Sequence, residues 1–184
     1  MARIKDRYND EIRTALVRKF GYSSPMQAPR LQKVTLNMGV GEAKQDSKML
    51  ELALSQLADI AGQKPNIRRA RKSVANFKLR EGMDVGLKVT LRGIRMYEFM
   101  DRLISLAFPR VKDFRGVDPN GFDKNGNYNF GFTEQTVFPE VDAAAVTFQQ
   151  GMNITLVTSA NKPEEGRELL KGFGFPFRDE TKQK

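Results

Sequence analysis

The side chains best placed to do chemistry in this sequence are cations. From Lys64 to Arg80 stand Lys64, Arg68, Arg69, Arg71, Lys72, Lys78 and Arg80, with no Asp or Glu among them. Seven like charges in one stretch point to a polyanion as partner, and the arginine forks match phosphate oxygens. Two other groups invite a catalytic reading. Gly39-Val40-Gly41 lies between a strand pattern and a helix pattern, as a dinucleotide fingerprint would, but Lys44 stands where the third glycine belongs. An ordinary tight turn is the expectation there. Glu164, Glu165 and Glu168 follow Pro163 at the start of a short helical pattern, where they suit the helix dipole better than a metal. The chain has no histidine and no cysteine. That removes Ser-His-Asp and Cys-His catalysis, imidazole or thiolate zinc sites, and any disulfide framework. No catalytic residue, cofactor or metal is expected.

The charge is unevenly spread. Across 184 residues, 31 Lys+Arg against 22 Asp+Glu give +9, with net +12 in residues 1–115 and net −3 in 116–184. Nucleic acid is the expected partner and a membrane is not, because no stretch reaches the ~18 apolar residues of a spanning helix. Met1-Ala2-Arg3-Ile4-Lys5-Asp6 lacks an apolar run after its charges, so no signal peptide is read and the expected location is the cytoplasm. The length suits one RNA-binding domain, 1–184.

Helices and strands must hold these groups in place. Tyr8, Ile12, Leu16 and Phe20 recur every four residues and predict a first helix ended by Gly21. Pro25 and Pro29 mark an extended connection. Val34, Leu36 and Met38 alternate with Lys33, Thr35 and Asn37 in a strand over 31–38. Asp46 or Ser47 caps a second helix with Leu50, Ala53, Leu54, Leu57 and Ala61 on its apolar face. A further strand covers 86–92, with Leu87, Val89 and Leu91 inward. A third helix is predicted from Met96 to Phe108, ending before Pro109. Asp123 to Asn127 reads as a turn into the strand of Tyr128, Phe130 and Phe132. Met152, Ile154 and Leu156 define a last strand, which would bury the Asn153-Ile154-Thr155 sequon, and a short helix runs from Pro163 to Gly172. Phe173, Phe175 and Phe177 read as a core plug. The fold class is α+β: a two-layer, mainly antiparallel sheet with helices on one face and an open polar face.

That open face is cationic on both strands beside the basic run. Lys33, Thr35 and Asn37 line one strand; Lys88, Thr90 and Arg92 line the other. The layering is that of an RNA-recognition motif, but the Lys/Arg-Gly-aromatic signature is missing, so the sheet offers no aromatic platform for bases. Recognition should rest on phosphates, 2′-hydroxyls and RNA shape, with Asn, Gln and Thr as selective hydrogen-bonding groups.

Specific strings then matter. Leu36-Asn37-Met38-Gly39-Val40-Gly41-Glu42, Gly62-Gln63-Lys64-Pro65, Ala70-Arg71-Lys72-Ser73, Phe77-Lys78-Leu79-Arg80-Glu81-Gly82, Val89-Thr90-Leu91-Arg92-Gly93, Asp113-Phe114-Arg115-Gly116, Gly126-Asn127-Tyr128 and Gly174-Phe175-Pro176-Phe177 occur in order through nearly the whole chain. Together they resemble the family of bacterial large-subunit ribosomal protein number five. The resemblance implies a ribosome-bound protein that holds 5S rRNA in the central protuberance, beside 23S rRNA and other central-protuberance proteins. It further implies contact with P-site tRNA and a bridge to small-subunit ribosomal protein number thirteen. Its RNA-facing positions match Asn37, Gln63 and Thr90, with Lys33, Thr35, Lys88 and Arg92 beside them. Lys64, Arg68, Arg69 and Arg71 of the basic run complete the 5S rRNA set. The family's tRNA-contacting loop matches about 73–85, with Lys72, Ser73, Asn76, Lys78 and Arg80 as its polar side chains. Its bridging surface matches about 110–148. Three positions depart from the family pattern: Asn66 replaces an aliphatic residue, Gln150 a frequent cation, and Asn153 a usual Asp. A free-standing RNA chaperone and a nucleotide-dependent enzyme are the competing classes.

Overall fold

The computed structural model describes residues 3–41, 47–142, 146 and 148–178. Helix α1 (Arg3–Arg7) passes through a π-helical turn, Tyr8–Ile12, into α2 (Arg13–Phe20). Spacing explains the turn. Ile4, Tyr8, Ile12 and Leu16 are all buried, and each four-residue step overshoots an α-turn by about 40°. Repeated steps would walk the stripe off the core. The wider i→i+5 pairing of a π turn falls short of a full turn over the same four residues and brings the stripe back. Gly21 then closes α2 with a left-handed φ of 67°.

The device recurs downstream. Helix α4 (Gly93–Arg102) runs through a second π turn, Leu103–Ala107, into the short α5 (Phe108–Arg110). The sequence places the start near Met96 and the end before Pro109; the helix instead begins at Gly93 and takes Pro109 inside α5. The proline follows closely on the π turn, where the α-helical hydrogen-bond ladder is already widened.

Strands β1 (Leu31–Gly39), β2 (Asn66–Arg69), β3 (Asp84–Leu91), β4 (Tyr128–Phe132) and β5 (Met152–Thr158) form one antiparallel sheet in the order β2-β3-β1-β5-β4. With α3 (Ser47–Ala61) and α6 (Pro163–Gly172), the fold is the expected α+β, two-layer arrangement. Asp46, a possible cap for α3, lies outside the described residues. Periodicity gave no strand within the cationic run; β2 supplies one there. Asn153, expected to be buried in β5, is exposed, because Met152, Ile154 and Leu156 take the inward positions.

Packing divides the chain into two compact units. One comprises Met1–Val34, Leu91–Phe130 and Thr155–Lys184. There α1 packs against α4, and α6 against the first π turn. Gly172 permits that approach: a Cβ on it would lie 2.8 Å from Ile12 Cγ2. Phe173 meets Tyr8 and Tyr97, while Phe175 meets Phe108, Tyr128 and Phe130. This is the core plug expected from the C-terminal aromatics. In the turn before β4, Asp123 accepts from the backbone N–H groups of Asn125 (2.9 Å) and Asn127 (2.8 Å) and from the Asn127 amide (2.8 Å). Burial alone would raise its pKa, but these bonds outweigh it and hold the carboxyl below the usual Asp range.

The other unit comprises Thr35–Thr90 and Gly131–Ile154. It buries Leu36, Met38, Leu57, Ile60, Leu87, Val89 and Phe138. Its fully buried Gln135 is satisfied on both ends: Oε1 accepts from the Gln150 N–H at 2.6 Å, and Nε2 donates to the Phe148 carbonyl at 2.7 Å. Gln150 in turn donates its side-chain amide to the Gly39 carbonyl at 2.6 Å. Through that donated bond the residue ties a loop to the end of β1.

Candidate nucleic-acid interface

The sheet face in the second unit is built by strand pairing. β2 runs antiparallel to β3 with Asn66 opposite Lys88, Ile67 opposite Leu87 and Arg68 opposite Gly86. Leu87 and Val89 point to the core. Asn66, Arg68, Lys88 and Thr90 therefore share the opposite, open face. On the neighbouring strand β1, Leu36 and Met38 are fully buried, which turns Thr35 and Asn37 to the same open side. Thr35, Lys88 and Thr90 are half-buried and Asn37 is exposed. Gly86 sets the closeness of β1 and β3, since a Cβ there would lie 2.7 Å from the Met38 carbonyl oxygen. The Val40 N–H still pairs with the Val85 carbonyl at 3.1 Å beyond the end of β1. Val40, the middle residue of Gly39-Val40-Gly41, thus continues the sheet pairing, and its N–H is taken up by the sheet.

The cationic run divides into two environments. Gln63 is half-buried and Lys64 exposed, just past Gly62, whose left-handed φ of 61° ends α3 with its N–H on the Ala58 carbonyl. Arg68 joins the sheet face. Arg69 does not: a register shift between Arg68 and Arg69 sets Arg69 opposite Asp84, and its Nε donates to Asp84 Oδ1 at 3.1 Å. Beyond it, residues 70–83 leave the sheet as a closed excursion. Ala70 and Met83 are joined at its base, and the Gly82 N–H returns to the Ala70 carbonyl. Arg71, Lys72, Ser73, Asn76, Lys78 and Arg80 are all exposed on it. Ser73 is a structural member, because its Oγ accepts from the Glu81 N–H at 2.9 Å.

Lys33 and Arg92 belong to the first unit. Lys33 is half-buried on β1, and exposed Arg92 stands just before α4 without a side-chain capping bond. Three residues of the surface were missed in the sequence. Asn66 lies on the open face opposite Lys88, so replacing an aliphatic residue there costs no core packing. Asn153 is exposed on β5, with room made by Gly131, whose Cβ would lie 2.9 Å from Asn153 Oδ1. The alternation of β5 itself carried that signal. Phe77, in the loop, is 70% exposed, and nothing in its neighbours' polarity marked it.

Chemically, the face combines hydroxyls and amides that both donate and accept with a few cations on a rigid ladder. That is suited to 2′-hydroxyls and phosphates of a folded RNA. Among the described residues no group of three or more carboxylates is placed to hold a metal ion, and no helix is long and apolar enough to cross a membrane.

Comparison with known proteins agrees over nearly the whole chain. The "Ribosomal protein L5" family model matches residues 24–80, and the model for the C-terminus of the same ribosomal family matches 84–177. The large ribosomal subunit protein uL5 of Alkaliphilus metalliredigens is 59% identical over 177 residues, covering 96% of this chain and 99% of that one. Its counterpart in Rubrobacter xylanophilus is 58% identical, covering 97% and 99%. The one in Salinispora tropica is 56% identical, covering 97% and 95%. With β1, β2 and residues 70–80 of the cationic excursion inside the first matched segment and β3 inside the second, this chain belongs to the ribosomal protein L5 family.

Proposed function

We propose that this chain, a non-catalytic ribosomal protein of the large subunit by its family, binds 5S rRNA through the open sheet face and helps anchor it in the central protuberance. It does so as one RNA-binding domain. The observation that carries this reading is the placement of Thr35, Asn37, Arg68, Lys88 and Thr90 on one open side of adjacent strands. Gln63 and Lys64 stand between the end of α3 and β2, and Lys33 and Arg92 extend the polar pattern in the other unit. The exposed excursion with Lys72, Asn76, Lys78 and Arg80 is assigned to P-site tRNA. The segment around 110–148, with exposed Arg110, Lys112 and Arg115, is assigned to the bridge with small-subunit ribosomal protein number thirteen. Neighbouring 23S rRNA and proteins of the protuberance complete the setting.

Fixed amides and hydroxyls give selectivity, while cations give affinity that salt removes. If six to eight phosphates are neutralised, log affinity falls with log salt at a slope of roughly −5 to −7. The test is competition in moderate salt. The chain should retard 5S rRNA at concentrations that leave tRNA and duplex DNA largely free. Equal retardation of all three would reduce the sheet face to a generic cationic surface and overturn the reading.

A further inference from the structure

The tip of the cationic excursion holds an aromatic ring in solvent. Phe77 is 70% exposed and Val74 38% exposed, although apolar side chains are ordinarily withdrawn from water. The exposure belongs to a built turn. Val74 and Leu79 exchange both backbone hydrogen bonds, at 2.9 and 3.1 Å. Inside them, Ala75–Phe77 form a 3-10 turn, with the Phe77 N–H on the Val74 carbonyl and the Lys78 N–H on the Ala75 carbonyl. Lys78 closes it at a φ of 49°, a left-handed conformation that a lysine enters only under constraint.

Charge says what the ring meets. Arg71, Lys72, Lys78 and Arg80 flank the tip in sequence and are exposed, and Glu81 is the one acid between Ala70 and Met83. A ring set among cations fits a nucleobase, which offers a π-face to the ring and phosphates on either side. A protein surface would instead have to bury two lysines, a residue that interfaces exclude from their centres.

We propose that Phe77 is a base-stacking residue: its ring lies against an exposed nucleobase of a folded RNA while Lys72 and Lys78 hold the neighbouring phosphates. This rests on the assignment of the excursion to tRNA and names the grip it uses. It also gives the chain an aromatic contact that the sheet lacks.

The test uses the full chain and deacylated tRNA as probe. Phe77→Ala should weaken tRNA binding roughly 5- to 100-fold with an unchanged salt slope, because the ring carries no charge. Phe77→Trp should bind about as tightly as the parent. Its indole is the chain's sole indole, and its emission should be quenched as tRNA saturates the protein. Melting temperatures should not move, since the ring is outside the core. Unchanged affinity in Phe77→Ala, while Lys72→Glu with Lys78→Glu weakens binding, overturns stacking and leaves the loop assignment standing. If neither change affects tRNA binding, the stacking proposal and the loop assignment fall together. Unquenched emission at saturation also overturns stacking.

Discussion

The sheet face and the cationic excursion are consecutive in sequence and opposite in construction. On the face, Thr35, Lys88 and Thr90 are half-buried and each strand is pinned by its neighbours. The side chains are mostly uncharged, and their positions are set by the ladder to within the freedom of a rotamer. In the excursion every predicted contact residue is exposed, and backbone bonds close the turn while leaving the long side chains in solvent. The difference teaches how one small protein can divide recognition. A fixed polar grid suits an RNA that is to be held in one register. A projecting cationic tip suits an RNA that comes and goes, because charge acts at a distance and stacking tolerates any base.

That division can be broken from either side. The largest effect should come from Gly86→Val. Its Cβ would collide with the Met38 carbonyl oxygen at 2.7 Å, prising β1 from β3 and costing about 3 kcal/mol of stability. Denaturant melts would show the loss, and 5S rRNA binding would fall with it. Next, Asn37→Ala together with Thr90→Val should lower 5S rRNA affinity by about 30- to 100-fold, at roughly 1 kcal/mol or a little more per lost hydrogen bond. The salt slope and melting temperature should stay put, because neither side chain carries charge or fills the core. Binding that survives both changes would remove the face from the interface. The smallest effect on 5S rRNA should be that of Lys72→Glu with Lys78→Glu, within about threefold in affinity, while the slope for tRNA becomes shallower by about 2. A large loss of 5S rRNA binding in that variant would merge the two regions into one site.

What could be read directly from the chain was whatever followed a simple period. β1 and β3 showed their inward Val34, Leu36, Met38, Leu87, Val89 and Leu91 by strict alternation, and the polar residues between them came with it. β2 was hidden because four residues, Asn-Ile-Arg-Arg, carry too little pattern to compete with a run of charge. The bulge that takes Arg69 away from Arg68 and gives it to Asp84 depends on pairing between residues distant in sequence. The same holds for Gln135, whose partners Phe148 and Gln150 reach it only in the folded chain. Phe77 was legible only as a member of a family-like string, and nothing in that string marked its ring as 70% exposed. The helix limits at Gly93 and Pro109 were misplaced because the periodicity assumed one continuous α geometry.

The two π turns also decide which changes of length this protein can absorb. A π turn is one residue more than the α path between the same two faces. Deleting any one residue between Tyr8 and Ile12 would therefore let the helix close into ordinary α pairing, at little local cost. Everything before the deletion would keep its phase, with Ile4 in the core and Arg3 still at 2.6 Å from Asp101. A deletion inside α2, which has no extra residue to give up, would instead turn everything before it by about 100°, swinging Ile4 out of the core. For these helices the quantity to be kept is phase, and residue number serves only to keep it.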